Sequence, residues 1–294
     1  MVKRLKSVEL FLALGLAATV GACTNSANNP GQGGEASGSA PAAHTTPHAE
    51  GEEGGAANST PAAHATSHAE GGEGGEGGEG GATSQANSDV DYLTTLGLMK
   101  GHLIAAKELM AQGKYDQAQP HIAHPVDELY GDIEGQLTQR NIPEFKTKLT
   151  QLNDLIKSAS NSPQTKTAYD KAIQAIDQAI AAVPASQQQS PKFVLRVVNR
   201  LLQTAAKEYK AAIAGDKVAE VVEYQDSRGF VLYADQLYQK IAAQLQQQQP
   251  NKAKAISDSF RELKTTWPSV NPPAKPVKTP SEVFGLVSQI EFNS

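Results

Sequence analysis

From residue 89 to the C-terminus, apolar side chains recur at intervals of three and four, the period of a helix with one buried face. Leu93, Leu96, Met99, Leu103, Ala106 and Met110 place a first helix over about Val90 to Gln112. A turn at Ala111-Gln112-Gly113 leads to a second helix, Tyr115 to Gln139, which Pro120 and Pro125 should break. Pro143 opens a third, with Phe145, Leu149, Leu152 and Ile156 on one face, and Pro163 a fourth, with Tyr169, Ile173, Ile176 and Ile180. A Gln/Ser-rich loop, Pro184 to Ser190, separates these from a fifth helix that Pro191 opens and Gly215 caps after Ala214. A sixth runs from Asp216 to about Gln249, kinked around Gly229, and a seventh from Asn251 to Trp267. A Pro-rich stretch then precedes a last helix, Ser281 to Ile290. No segment alternates as a strand does. The fold class is all-α: a helical bundle of about eight helices.

The bundle reads as two pseudo-repeated halves, 89–185 and 191–294. Ala105-Ala106-Lys107-Glu108 returns as Ala205-Ala206-Lys207-Glu208, and Gly113 matches Gly215. In that register His121 and His124 align with Glu223 and Asp226, and Tyr130 falls near Leu232-Tyr233. Gly113 to Ala118 looks like the middle of a tetratricopeptide unit, but the 34-residue period of that repeat does not continue.

The N-terminus has another character. Lys3, Arg4 and Lys6 precede an apolar run, Leu10 to Val20, of signal-peptide length and too short to span a bilayer comfortably. It ends Val20-Gly21-Ala22-Cys23, which resembles the lipobox of bacterial lipoproteins. That resemblance implies a signal peptide over 1–22, cleavage before Cys23, and two or three acyl chains (palmitate among them) on that residue, enough for stable anchoring. It also implies an extracytoplasmic, periplasmic location. Thr24, where retention in the inner membrane would call for Asp, favours the outer membrane of a Gram-negative cell. A secreted protein with a stray cysteine is the alternative. Cys23 is the single cysteine, so the chain forms no internal disulfide and no cysteine metal site.

Residues 23–88 are mostly Gly, Ala, Ser, Thr, Glu and His, with no aromatic side chain. Such a segment cannot bury enough surface to offset the entropy of ordering, and it reads as a disordered tether spanning on the order of 45 Å. Its glutamates outweigh the whole chain's net charge of −5, leaving the helical part close to neutral. With no basic stripe and no interleaved aromatics, nothing points to nucleic acid. The tether holds a tandem duplication: Pro41 to Glu50 recurs as Pro61 to Glu70, each copy with a His-x-x-x-His pair, His44/His48 and His64/His68. Such pairs can chelate Zn, Cu or Ni in a flexible chain; a solvated spacer grown by repeat slippage is the other reading.

The remaining histidines, His102, His121 and His124, flank the Gln112 turn at ten positions before and nine and twelve after it. In an antiparallel hairpin these distances put all three rings roughly 15 Å from the turn. Glu128 follows His124 by four, on the same face of a continuous helix. Imidazoles and a carboxylate at one level of a bundle suit a transition metal: Fe, Zn or Cu. If the halves pack symmetrically, Glu223 and Asp226 face His121 and His124 and complete a mixed shell. Against this, a break at Pro125 would leave Asp127 and Glu128 serving a helix dipole, and Glu223, Asp226 and Arg228 can form a solvated charge cluster. Met99 and Met110, the methionines of the mature chain, share a helix with His102 and give copper some support, although helical methionine is commonly core filler.

Signal, His-bearing tether and helical domain together resemble the imelysin-like lipoproteins linked to bacterial iron uptake, duplicated helical bundles with a Gly-x-His-x-x-Glu signature. Around His124 the chain has Ile122 in place of that Gly and Asp127 in place of that Glu. The likeness is architectural. No phosphate loop, nucleophile elbow or His-Glu-x-x-His motif is present in the sequence, and the expectation is not an enzyme. The sequence thus predicts a membrane-anchored extracytoplasmic lipoprotein whose helical domain binds or senses a transition-metal ion. The alternative is a metal-free envelope scaffold that binds a protein partner.

Overall fold

The computed structural model describes residues 80–294, with side chains from Ser88 onward. The expected signal peptide, Cys23 and the tether histidines His44, His48, His64 and His68 lie outside the described residues. Helix α1 (Gly80–Ala111) carries its buried stripe on Tyr92, Leu96, Met99, Leu103, Ala106 and Leu109. It begins within the stretch assigned to the tether. Helix nucleation is costly and propagation is cheap, so a packed helix can extend through Ala82, Gln85 and Ala86.

After Gly113, in the left-handed region at φ 71°, come α2 (Tyr115–His124), one wide π turn (Pro125–Leu129) and α3 (Tyr130–Gln139). The break expected at Pro125 is instead this π turn. Proline has no N–H to give and its ring crowds the carbonyl of the preceding turn, so the helix widens and continues. α4 (Lys146–Ser158) starts three residues after Pro143, because Phe145 is non-helical and donates its backbone N–H to the buried Tyr130 hydroxyl at 3.0 Å. α5 (Pro163–Ala181) begins at its proline, with the Ser162 side chain capping Thr165 N–H.

The second half repeats this plan. A short helix, α6 (Ala185–Gln188), lies in the expected connecting loop. α7 (Pro191–Ala212) ends earlier than expected, since Ile213–Ala214 (β1) pairs antiparallel with Lys217–Val218 (β2) around Gly215 at φ 63°. Gly215 is thus a hairpin turn residue and not a helix cap, and β-branched Ile213 and Val218 face each other across this miniature ladder. α8 (Val221–Gln248), α9 (Pro250–Lys264) and α10 (Pro280–Phe292) follow. A capping box formed by Thr279 and Glu282 sets the start of α10.

Each half closes on itself as a four-helix bundle. α1 packs on α2, α2 on α4, α4 on α5 and α5 on α1; likewise α7 on α8, α8 on α9, α9 on α10 and α10 on α7. The halves join chiefly through α1, which lies along α8 and α7. α1 and α8 cross where Gly229 lies against the Gly101 backbone, and a bidentate pair, Glu108 with Arg228 (3.0 and 3.2 Å), ties the crossing further on. No helix of the described residues is long and apolar enough to cross a membrane.

Candidate metal centre

Beside the Gly101–Gly229 crossing, α1, α2 and α8 bring one carboxylate and three imidazoles together. His102 follows Gly101 directly; Asp226 stands one turn before Gly229; His121 and His124 close α2 just before the π turn. Asp226 is 1% exposed and His121 is completely buried. Asp226 Oδ1 lies 2.5 Å from His102 Nδ1 and 2.7 Å from His121 Nδ1. Asp226 Oδ2 lies 3.3 Å from His124 Nδ1, within ion-pair range, yet that nitrogen has no hydrogen-bond partner. His121 Nε2 is 2.8 Å from Gln225 Oε1. The His102 ring meets His124 and Phe230 edge-on, with centroids 5.0 and 4.9 Å away.

His102, His124 and Asp226 each offer a donor atom, and these three atoms lie within 4.8 Å of one another. Two imidazoles and one carboxylate held this way leave coordination positions open for water or a further ligand, a donor set that suits Fe(II) or Zn(II) better than Cu(I). Met99, the methionine nearest His102 in sequence, is buried in the apolar core.

The electrostatics favour an ionised carboxylate. Burial would push the Asp226 carboxyl up, but the charge and hydrogen bond of His102, with the contacts from His121 and His124, hold it well below the usual carboxylate range. Contact with Asp226 raises the His124 pKa above its ordinary value; burial opposes this, and the charges of Glu128 and Glu223 add to it.

The structure sorts the expected residues. His102, His121 and His124 each reach Asp226, but the donor atoms that converge are those of His102, His124 and Asp226. Asp226 is the hub of the cluster and not part of a solvated charge patch. Glu128 is 59% exposed on its side chain, 3.7 Å from His124 Nε2, at the rim. Glu223 is half-buried and hydrogen-bonded to Glu208 of α7. Burial, then that hydrogen bond and the charges of Glu223, Asp226 and Glu128, push the Glu208 carboxyl up to about 7. Glu208 and Gln225 are the residues that the site reading of the sequence missed. Glu208 stood in the repeated Ala-Ala-Lys-Glu segment; Gln225 carried no signal beyond adjoining Asp226.

Residues 184–294, the half containing α7 to α10, match the family model of the iron permease-associated 4-helix bundle domain. The match covers the part of the chain that closes as the second bundle, and it makes that half similar to a helical domain connected with metal uptake. No curated protein and no solved structure matches the chain.

Proposed function

We propose that this chain is a membrane-anchored extracytoplasmic lipoprotein whose helical domain binds a transition-metal ion, iron foremost, as cargo. His102, His124 and Asp226 are its ligands. The observation that carries the reading is the convergence of those three donor atoms within 4.8 Å where three helices meet, with His102 and Asp226 buried and His124 partly so. The similarity of residues 184–294 to an iron permease-associated domain weighs toward iron among the metals this donor set accepts, and toward an envelope partner that moves metal. The role in this reading is capture and transfer of the ion. Cys23, in its lipobox-like setting, supports the membrane anchor, with the outer membrane favoured in a Gram-negative cell. In this reading His44, His48, His64 and His68 add weak metal capture through their His-x-x-x-His pairs, and Glu128 and Glu223 draw cations toward the helical site.

The test is anaerobic Fe(II) binding to the full-length chain carrying Ala at His44, His48, His64 and His68, beside the same chain with His102→Ala, His124→Ala and Asp226→Ala. One equivalent of iron, lost in the triple variant, is the expected result. Absence of binding by the parent would sink the site and leave the metal-free scaffold as the working function.

A further inference from the structure

Resting on that reading, we propose that His121 is not a metal ligand but the buried clamp that aims the Asp226 carboxylate, with Gln225 fixing its tautomer. Both ring nitrogens of His121 are already committed. Nδ1 faces Asp226 Oδ1 at 2.7 Å and Nε2 faces the Gln225 amide at 2.8 Å, in a position with no solvent exposure. No lone pair of this ring is left to meet an ion, and His121 is absent from the set whose donors converge.

The carboxylate shows what the clamp achieves. His102 and His121 both address Oδ1, which leaves Oδ2 as the atom beside His124 Nδ1. A carboxylate held at one oxygen by two ring N–H groups presents the other in a fixed direction, the arrangement by which outer partners orient a ligating group.

The amide of Gln225 completes the argument. With Oε1 toward His121, two oxygens flank the imidazole, and Gln225 Nε2 is buried with no partner. The two ends of an amide are interchangeable in shape. Turned over, the amide donates its N–H to His121 Nε2, which sets the tautomer with the ring N–H at Nδ1, donated to Asp226. An unpaired buried carbonyl is better tolerated than an unpaired buried N–H, so this orientation is the one the site holds.

Cobalt(II) absorption in the tether-substituted full-length chain tests this, because the d–d bands report the donor set and not only the affinity. His121→Asn keeps an N–H donor near the Nδ1 position; His121→Phe removes it; Gln225→Leu removes the tautomer lock. The expected result is the parent spectrum at saturation in all three. Affinity should lie within a few-fold of the parent for Asn and fall about 10- to 100-fold for Phe, whereas His102→Ala and His124→Ala change the spectrum. Circular dichroism melting identifies any variant that fails to fold, and His121→Asn and Gln225→Leu decide the matter if His121→Phe does. A His121→Asn spectrum altered like that of His124→Ala would overturn the clamp and leave the metal site standing. No cobalt bound by the parent would overturn both.

Discussion

The carbonyl oxygen of Gly101 lies against the α-carbon of Gly229: a β-carbon at residue 229 would stand 2.2 Å from that oxygen. On the facing helix, a β-carbon at Gly101 would meet Phe230 Cδ1 at 2.4 Å and the Phe230 backbone nitrogen at 3.0 Å. Neither glycine has a positive φ, so closeness and not backbone conformation demands them. Backbone contact here is what lets His102 and Asp226 touch across two helices. Gly229→Ala must push α1 and α8 apart. Overpacking of about 1–3 kcal/mol or more should exceed the roughly 1 kcal/mol that alanine gains in helix propensity. Urea unfolding should therefore show a net loss of stability, with metal affinity falling beside it. Unchanged stability would mean that the two backbones do not meet.

His124 and Asp226 give the site a pH dependence of predictable sign. A metal needs the unprotonated imidazole, and contact with Asp226 raises the His124 pKa above its ordinary 6.5. Metal affinity should climb with pH through that raised value, by up to tenfold per unit on the acid side. For folding, the raised His124 pKa contributes stability that is fully present below 6.5 and is lost as pH rises through the folded-state value. The depressed Asp226 pKa contributes above its unfolded value and is lost as pH falls through the folded one. Asp226→Asn removes the partner and leaves burial to dominate, so the His124 titration should move downward when followed by imidazole NMR. An unmoved titration would show that the carboxylate does not govern it.

Much of this arrangement was legible in the sequence, for reasons specific to particular residues. Helix period is set by burial, so Leu96, Met99, Leu103, Leu149 and Ile176 announced their faces correctly. The hairpin register of His102 with His121 and His124 followed from rise per residue alone. The proline rule failed at Pro125 because it predicts a conflict and not its resolution, and a π turn resolves that conflict without a break. The rank of Asp226 was illegible because a carboxylate in a polar stretch looks the same whether it is solvated or buried. Its burial depends on the Gly101–Gly229 approach, a contact spanning more than a hundred residues that no local pattern encodes.

Glu208 should cost stability as pH rises. Its carboxyl ionises near 7 in the folded protein against 4.5 ordinarily, so the folded state binds the extra proton and loses stability between those values. Glu208→Gln keeps a hydrogen-bonding partner for Glu223 without the charge. It should leave stability near pH 5 unchanged and raise it above pH 7 by on the order of 1–2 kcal/mol, solvent screening of a half-buried group considered. Urea midpoints at the two pH values measure this, and parallel pH dependences in parent and variant would contradict it.

The segment similar to the iron permease-associated domain, residues 184–294, holds only half of the site. It supplies Asp226, Gln225, Glu208 and Glu223, while His102, His121 and His124 come from the other bundle. Four helices closing on one another suggest that the segment could keep its helices when isolated. It would, however, bare the face that α1 covers: Phe230 packs on His102, and Tyr233 and Leu201 pack where Gly97 leaves room. Exposing large apolar side chains of this kind costs about 1.5–3 kcal/mol each, and Asp226 would lose the imidazoles that hold it ionised in the interior. The isolated segment should thus be helical by circular dichroism, melt lower than the full chain, self-associate with rising concentration, and bind no Fe(II). Adding residues 80–183 in trans should restore one equivalent of binding, because the donor atoms converge only where the two bundles meet. Stoichiometric Fe(II) on residues 184–294 alone would place the site within the second bundle and refute the shared one.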